Sequence, residues 1–590
     1  MSGASNLDSF RAEANFFNKF LGSSQSLAQA LEPSGSRPAS RETIGWITPV
    51  TRVDLLKDGL ISDFSKWRGQ HQYAYPTRFK VSEEGTQGWL DSVLSSTSRL
   101  LFTLTDSDNK RVGHIGLSWN FETDQLEVDS VLRGEKVRSG FMTKAMEWLE
   151  DYSYKEFNTQ SLCLRVLESN SRAVSFYERL GYEVDSVLCL SSVSEGEFTS
   201  LVGDESGTAD KFLTMKKDLE NTRILPDEVL TAGPSIGFRE MAYVSDAVLN
   251  GWNSRHSTYL ASFQDQFSEF IGSTFSLATS SCTGALHLAL AAVGAISGDE
   301  VIVPAVTWVA TASAVRYTGA TPIFADVNKT SWTLDPDEVR RLITPKTKAI
   351  VAVHLYGFVA DVSALRKLAD EFGIFLIEDA APAIGATLNG RAAGTFGHFG
   401  CYSFQGAKLL VTGEGGMLVT DSSELFSRAV KLQEHGRRPG TFWIDEVGYK
   451  YKMSNLTAAL GLGQLERAGS QIEKKRRIYD WYRSSVGNDA PVSFQEGLSG
   501  TIGIAWMTSI LIDEGSGIKR DGLMAFLRQN GVDSRPTFPS LVDFEFWGTD
   551  QPELPVSRHV GASGINLPSG VGLSRPTVNR IGELVKKFTS

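Results

Sequence analysis

The stretch "CYSFQGAKLLVTGEGGM" (401–417) sets one lysine, Lys408, between a short apolar strand and a glycine-rich turn. An amine held in an apolar setting loses hydration, gives up its proton more easily and becomes a nucleophile toward aldehydes. The bland alternative is a lysine that merely ends a strand at a turn. Upstream, "IFLIEDAAPAIG" puts Asp379 at the carboxyl end of a strand, where open α/β sheets bind ligands. "ATSSCTGALHLAL" closes a strand and opens a helix, so Ser281, Cys282 and Thr283 can cup a phosphate with N-terminal N–H groups. "PAVTWVATASA" places Trp308 just past another strand, and Ser403 shortly precedes Lys408. Singly, Asp379 could cap a helix, Trp308 could be core, and small residues before an apolar helix are common N-caps. Taken together, they match the needs of pyridoxal phosphate: an amine for the aldehyde, a carboxylate for the ring nitrogen, an aromatic face, and a phosphate cup.

A second set lies nearer the N-terminus. "VLRGEKVRSGFMTKAM" runs from a strand through a glycine and basic loop into a helix. Backbone N–H groups of Arg138, Ser139, Gly140, Phe141 and Met142 could hold a pyrophosphate there, with the Arg138 side chain adding charge. "LRVLESNSRAVSFYERLGYE" carries Asn170, Ala173, Tyr177 and Gly181. On "QLEVDSVL", Glu127 and Asp129 share one strand face and could take a proton from an amine; His114 on the preceding strand is a third candidate. Packing alone would also account for Tyr177 on an amphipathic helix.

At 590 residues the chain needs more than one hydrophobic core. Its net charge of −11, with no basic run longer than "EKKRR", argues against nucleic acid as a partner. The four cysteines form no CxxC pair, so neither a disulfide framework nor a metal site is expected. No stretch is apolar and long enough to span a membrane, and the first residues lack the pattern of a secretory leader; a cytoplasmic protein is expected. Residues 1–42 read as a disordered or helical lead-in. Three antiparallel strands follow at 99–106, 111–120 and 125–134. The Ser/Gly/Asp/Glu-rich part of 192–232 reads as a loop, with 196–225 forming a linker and the last strand of the first domain. The alternation of helix and strand beyond predicts parallel strands with crossover helices.

Two resemblances sharpen these readings. "AGPSIGFREMAYVSDAVLNGW", "ALHLAL", "HLYG", "EDAAPAIGA", "YSFQGAK", "TGEGGMLVTD", "EHGR" and "VGYKYKMSNLTAALGLGQLE" stand in the order seen in the DegT/DnrJ/EryC1/StrS sugar aminotransferases, which residues 226–590 resemble. The resemblance implies a fold-type I pyridoxal phosphate enzyme, with a mostly parallel sheet between helices over 226–480 and a small α/β subdomain over 481–590. It implies Lys408 as the residue that bonds the cofactor and shuttles protons, Asp379 on the ring nitrogen, Trp308 on the ring face, and Thr283 and Ser403 at the phosphate. Lys450 would reach the phosphate of a neighbouring subunit in a homodimer. Pro382 stands where the family usually has His or Gln, Cys282 where Gly is common, and Leu409 where Asn often follows the lysine. "CYSFQGAKLLVTGEGGM" most resembles the perosamine-synthase branch, whose substrate is a GDP-linked 4-keto-6-deoxy sugar.

Residues 43–195 resemble the GNAT N-acetyltransferases through "FSKWRGQHQY", "TQGWLDSVL", "RVGHIGLSW" and the spacing of Asn170, Ala173, Tyr177 and Gly181. This implies a mixed, mostly antiparallel sheet, acetyl-CoA as co-substrate, Asn170 beside its pantetheine arm, and Tyr177 as the acid that protonates the departing thiolate. Of the family's usual loop, Q/R-x-x-G-x-G/A, only Gly140 is kept. One activity would make an amine and the other would consume it. The expectation is a bifunctional enzyme that aminates a nucleotide-linked 4-keto-6-deoxy sugar with glutamate and then N-acetylates it. Alternatives are a keto-cyclitol substrate, or a cofactor-bound regulator or scaffold without catalysis.

Overall fold

The computed structural model describes residues 6–19, 27–31, 43–57, 59–78, 80–195, 198–221, 228–548 and 552–590. Two compact units meet in sequence at Ile224 and Leu225. Most of the expected lead-in, including "EPSGSRPASRE", lies outside the described residues, but a helix occupies Asn6–Lys19.

The first unit is built on ten strands: β1 Gln29–Leu31, β2 Gly45–Pro49, β3 Thr77–Arg78, β4 Arg99–Asp106, β5 Arg111–Asn120, β6 Gln125–Arg133, β7 Ser161–Leu167, β8 Glu183–Glu195, β9 Phe198–Gly203 and β10 Asp210–Asp218. They form one sheet in the order β1-β2-β4-β5-β6-β7-β10-β8-β9-β3. All neighbours run antiparallel except β6 and β7, which pair in parallel over only Glu127↔Cys163 and Val128↔Leu164. Beyond that point the two strands are no longer hydrogen-bonded. The adjoining β5–β6 ladder shifts register between His114 and Gly116, and Ser130 takes a φ of +55°. Such a bulge bends its strand and increases its twist.

The loop expected after residue 192 is a β-hairpin for most of its length. β8 and β9 pair from Leu190↔Gly203 to Glu195↔Phe198, with Ser194 and Thr199 hydroxyls bonded at 3.2 Å. Small polar residues read as turn formers in isolation, but Ser and Thr sit well on a strand when a cross-strand hydroxyl faces them.

The second unit contains β11 Phe275–Thr279, β12 Glu300–Pro304, β13 Thr321–Ala325, β14 Thr347–Val353, β15 Phe375–Asp379, β16 Thr387–Leu388, β17 Arg391–Ala392, β18 Phe399–Ser403, β19 Gly416–Thr420, β20 Val492–Phe494, β21 Thr501–Ile502, β22 Thr508–Ile512, β23 Arg535–Pro536 and β24 Gly564–Leu567. Its main sheet runs β11-β19-β18-β15-β14-β12-β13, parallel from β18 to β13, with β19 antiparallel to both neighbours. Alternate residues of one strand enter different cores: Ile350 and Ala352 one, Ala349 and Val351 the other. A sheet covered on both faces is why these strands read as unbroken apolar runs. A four-stranded sheet, β20-β22-β24-β23, forms the smaller part. The boundary expected at residue 480 falls inside the helix Ala468–Val486. Ile472 of that helix belongs to the main core, while Ile478, Trp481, Tyr482 and Val486 belong to the core of the small sheet.

Candidate functional site

Lys408 lies on the tight connection between β18 and β19. Backbone bonds Phe404 N–H to Gly415 O, Gly406 N–H to Gly413 O and Lys408 N–H to Gln405 O, at 2.8–2.9 Å, fix its course. Lys408 as a whole is half-buried. Desolvation of its amine lowers the pKa to about 8, against the opposing charge of Asp379. The ammonium sits over the indole of Trp506, 3.8 Å from the ring centroid.

Asp379 closes β15 and is buried. Its carboxylate accepts a 2.8 Å hydrogen bond from the Thr311 hydroxyl and a 3.2 Å bond from the Ala381 N–H. Burial raises its pKa, and those two bonds and the Lys408 charge oppose the rise. A buried carboxylate held this way favours a cationic partner.

The expected cup is the start of the helix Cys282–Ala292. Ser281 is its N-cap, accepting from Gly284 N–H at 3.1 Å. The first-turn N–H groups of Cys282 and Thr283 have no intrahelical acceptor. The sheet comes very close here: a Cβ on Gly416 would lie 2.6 Å from Cys282 N, so β19 needs glycine where it passes the cup. Ser403, at the end of β18, is buried and accepts from Gln405 N–H at 3.3 Å. Lys450 is exposed; the next residue, Tyr451, accepts the Ser280 N–H at 2.5 Å, so its segment runs alongside the cup.

Trp308 is 60% exposed and begins an aromatic row. Its ring lies 5.5 Å from Phe538; Phe538 stacks on Tyr356 at 5.2 Å, and Tyr356 on Trp506 at 6.3 Å. The row therefore ends on Lys408. Thr311, Phe538 and Trp506 were not singled out by sequence reasoning. Thr311, three positions after Trp308 on the same turn, had a signal; the other two come from distant segments.

In the first unit, the parting of β6 and β7 coincides with a cleft of about 500 Å³. Val131, Leu132 and Arg133 line it from β6, and Val137 through Thr143 from the loop and helix start. Asn170, Arg172, Ala173, Phe176, Tyr177 and Arg179 line it from the helix Ser171–Arg179 and its cap. The structure thus brings Arg138, Ser139, Gly140, Phe141 and Met142 together with Asn170 and Tyr177. Gly140, at φ +83°, turns the chain into the helix Phe141–Phe157. Asn170 caps its own helix, accepting from Ala173 N–H at 3.4 Å. Tyr177 is buried, and desolvation pushes its pKa upward.

The acid/base candidates on the sheet are placed differently. Glu127 accepts from Asn120 at 2.7 Å and from Arg165 at 3.2 Å, and Asp129 forms an ion pair with Arg99. Neither lines the cleft; the Glu127 carboxylate is engaged by Arg165 of the adjacent β7 and that of Asp129 by Arg99 of β4, two strands away. His114 is buried beneath Phe64, stacked at 4.6 Å, with Nδ1 2.6 Å from the Ser130 carbonyl oxygen. Burial lowers its pKa to about 4. The histidine that does line the cleft is His71, from "GQHQY". Desolvation first, then the charges of Arg133 and Arg172, lower its pKa, against a bond to the Arg133 carbonyl.

Comparison with known proteins decides the family. The sequence model of the DegT/DnrJ/EryC1/StrS aminotransferase family matches residues 234–586, more than half of the chain. This chain belongs to the DegT/DnrJ/EryC1/StrS aminotransferase family. It also carries an acetyltransferase (GNAT) domain, matched over residues 49–183. The aminotransferase part is 40% identical over 359 residues to the GDP-perosamine synthase of Vibrio cholerae, a match covering 60% of this chain and 97% of that protein. Among solved structures it is similar to the aminotransferase TlmJ of Streptoalloteichus hindustanus, with 28% identity and a TM-score of 0.57 over 61% of this chain and 98% of TlmJ. It is likewise similar to DesI, solved in the presence of its TDP-sugar product, with 31% identity and a TM-score of 0.57 over 61% of this chain and 93% of DesI. Aminotransferases of this family use pyridoxal phosphate. The donor set fits that group: a desolvated amine, a buried carboxylate and a helix start pressed against a glycine strand lie in one unit. Among the described residues, no group of three or more His, Cys, Asp or Glu could hold a metal ion, and no helix is long and apolar enough to cross a membrane.

Proposed function

We propose that this chain aminates a nucleotide-linked 4-keto-6-deoxy sugar, with glutamate as donor, and then N-acetylates the new amine with acetyl-CoA. The observation that carries the first step is a desolvated Lys408 within electrostatic reach of the buried Asp379, in an aminotransferase part 40% identical over 359 residues to a GDP-perosamine synthase. Bound pyridoxal phosphate would supply an aldehyde and an electron-withdrawing ring. Asp379, steadied by Thr311, would hold the ring nitrogen; Ser281, Cys282, Thr283 and Ser403 would hold the phosphate, and Trp308 would cover the ring. Lys408, with its pKa lowered to about 8, is a base and an acid close to neutrality, suited to taking a proton from the carbon that bears the amine and giving it up again. Lys450 would contribute to the partner's phosphate site in a homodimer.

For the second step, the N–H groups from Arg138 to Met142 would take the pyrophosphate of acetyl-CoA. Tyr177, kept protonated by burial, would return a proton to the leaving thiolate. We assign the base to His71 rather than to Glu127 or Asp129, since it alone of the three lines the cleft. With its pKa below the ordinary value of 6.5, His71 is neutral at pH 7 and can accept a proton from the acceptor ammonium. H71Q should lower kcat/KM for acetyl transfer by about 10- to 100-fold and remove the acid-side fall in rate. An unchanged acid limb in H71Q would rule this assignment out.

The direct test supplies pyridoxal phosphate, glutamate and acetyl-CoA with a panel of GDP-, dTDP- and UDP-linked 4-keto-6-deoxy sugars. Mass spectrometry should show one sugar gaining first an amine and then an acetyl group. Absence of amination across the whole panel would exclude the nucleotide-sugar reading.

A further inference from the structure

We infer that Trp506 is a positioning residue for Lys408, and that Lys475, buried in the helix Ala468–Val486, holds Trp506 in place. The inference rests on Lys408 being the residue that bonds the cofactor.

Trp506 is fixed at several points. Its indole N–H donates to the Ala407 carbonyl at 2.8 Å, next to Lys408 in the chain. Its ring face carries the Lys408 ammonium at 3.8 Å. Its other neighbour in the aromatic row is Tyr356, with the two rings 20° from coplanar. Both segments bend unusually: Ala505, just before Trp506, has φ +44°, and Tyr356 has φ +52°. Non-glycine residues avoid this region, and such strain persists where the surroundings impose it, often at functional positions.

The Trp506 carbonyl is held by Lys475. The Lys475 amine donates to it at 2.7 Å and also to the Ser569 carbonyl. Lys475 is 5% exposed, and among the described residues no carboxylate pairs with its amine. Burial alone lowers its pKa to about 7. Lysine is seldom buried without a partner charge. Here the amine joins two backbone segments: the one carrying Trp506 and the turn whose Ser569 hydroxyl accepts Thr508 N–H at 2.9 Å.

The effect on Lys408 has a definite sign. Asp379 from β15 and the π face of Trp506 favour the charged amine and burial opposes them, while the Cys282 thiol of the cup helix, kept protonated by its own burial, adds no charge. Removing the ring while keeping an apolar side chain therefore favours the neutral amine. The neutral amine forms the C–N bond with the cofactor's aldehyde, whose oxygen leaves as water, so the pH dependence of cofactor capture reports the charge on Lys408.

The test uses the full chain stripped of cofactor and mixed with pyridoxal phosphate at graded pH, following the absorbance of the lysine-bound cofactor. W506L should move the midpoint of the capture rate down by about one pH unit, while W506F should stay close to wild type. K475M should move it in the same direction by less, and the K475M/W506L double variant no further than W506L. Wild-type midpoints in W506L and K475M, with native circular dichroism, would overturn the inference. Should W506L fail to fold, K475M decides: a shifted midpoint supports the role and an unshifted one refutes it. K408R separates this from the underlying reading. If K408R still gave the lysine-bound absorbance, Lys408 would not be the cofactor residue at all.

Discussion

Lys408→Arg should abolish amine transfer, by at least about 10⁴-fold, and leave acetylation of a supplied amino sugar within a few-fold of wild type. Arginine keeps a cation over the Trp506 ring but has no amine that can lose its proton near neutrality. Bulk and charge are thus nearly preserved while the nucleophile is removed. The measurement is paired: product mass from keto sugar and glutamate, and thiol release from acetyl-CoA with a ready-made amine. If both activities fell together in a folded protein, the assignment of separate sites to the two units would be wrong. If amination survived, Asp379 and its surroundings would have to serve some other lysine.

Tyr177→Phe should lower acetyl transfer by about 10²- to 10⁴-fold with little change in amination. Tyr177 is buried in the cleft, and desolvation holds its hydroxyl protonated above the usual range of phenols. That protonated state is useful only if the leaving thiolate needs an acid. Y177F should therefore recover with an acetyl thioester of a more acidic thiol, and the wild-type rate should not fall at alkaline pH before about pH 10. A rate equal to wild type with acetyl-CoA itself would assign Tyr177 to packing, where its contacts with Phe176 and Tyr182 would suffice.

The residues legible in the sequence share a property: each stands at the end of an element whose periodicity marks it. Asp379 ends an apolar run, Ser281 to Thr283 open an apolar helix, and Lys408 follows a strand into glycines. Tyr177 and Asn170 stand at helix positions fixed by a short local spacing. Trp506 and Phe538 give no such sign, because their importance lies in contacts with residues about a hundred or more positions away, and in sequence they are aromatic residues like any others. His71 lies within "FSKWRGQHQY", yet only the folded cleft shows that it is one of the lining residues. Glu127 and Asp129 illustrate the reverse. Their shared strand face was readable, but the arginines that engage them come from β4 and β7. The hairpin of β8 and β9 was hidden because its strands are rich in Ser and Thr, whose strand preference depends on what stands opposite.

The helix Ala468–Val486 has a further consequence, since one rod of backbone hydrogen bonds is rooted in two cores. Melting either sheet alone would strip packing from half of this helix and leave the other half frayed. The main sheet and the small sheet should therefore lose structure together, as one cooperative step on heating. Amides near Ile472 and near Tyr482 should exchange with solvent at similar rates, although they serve different sheets.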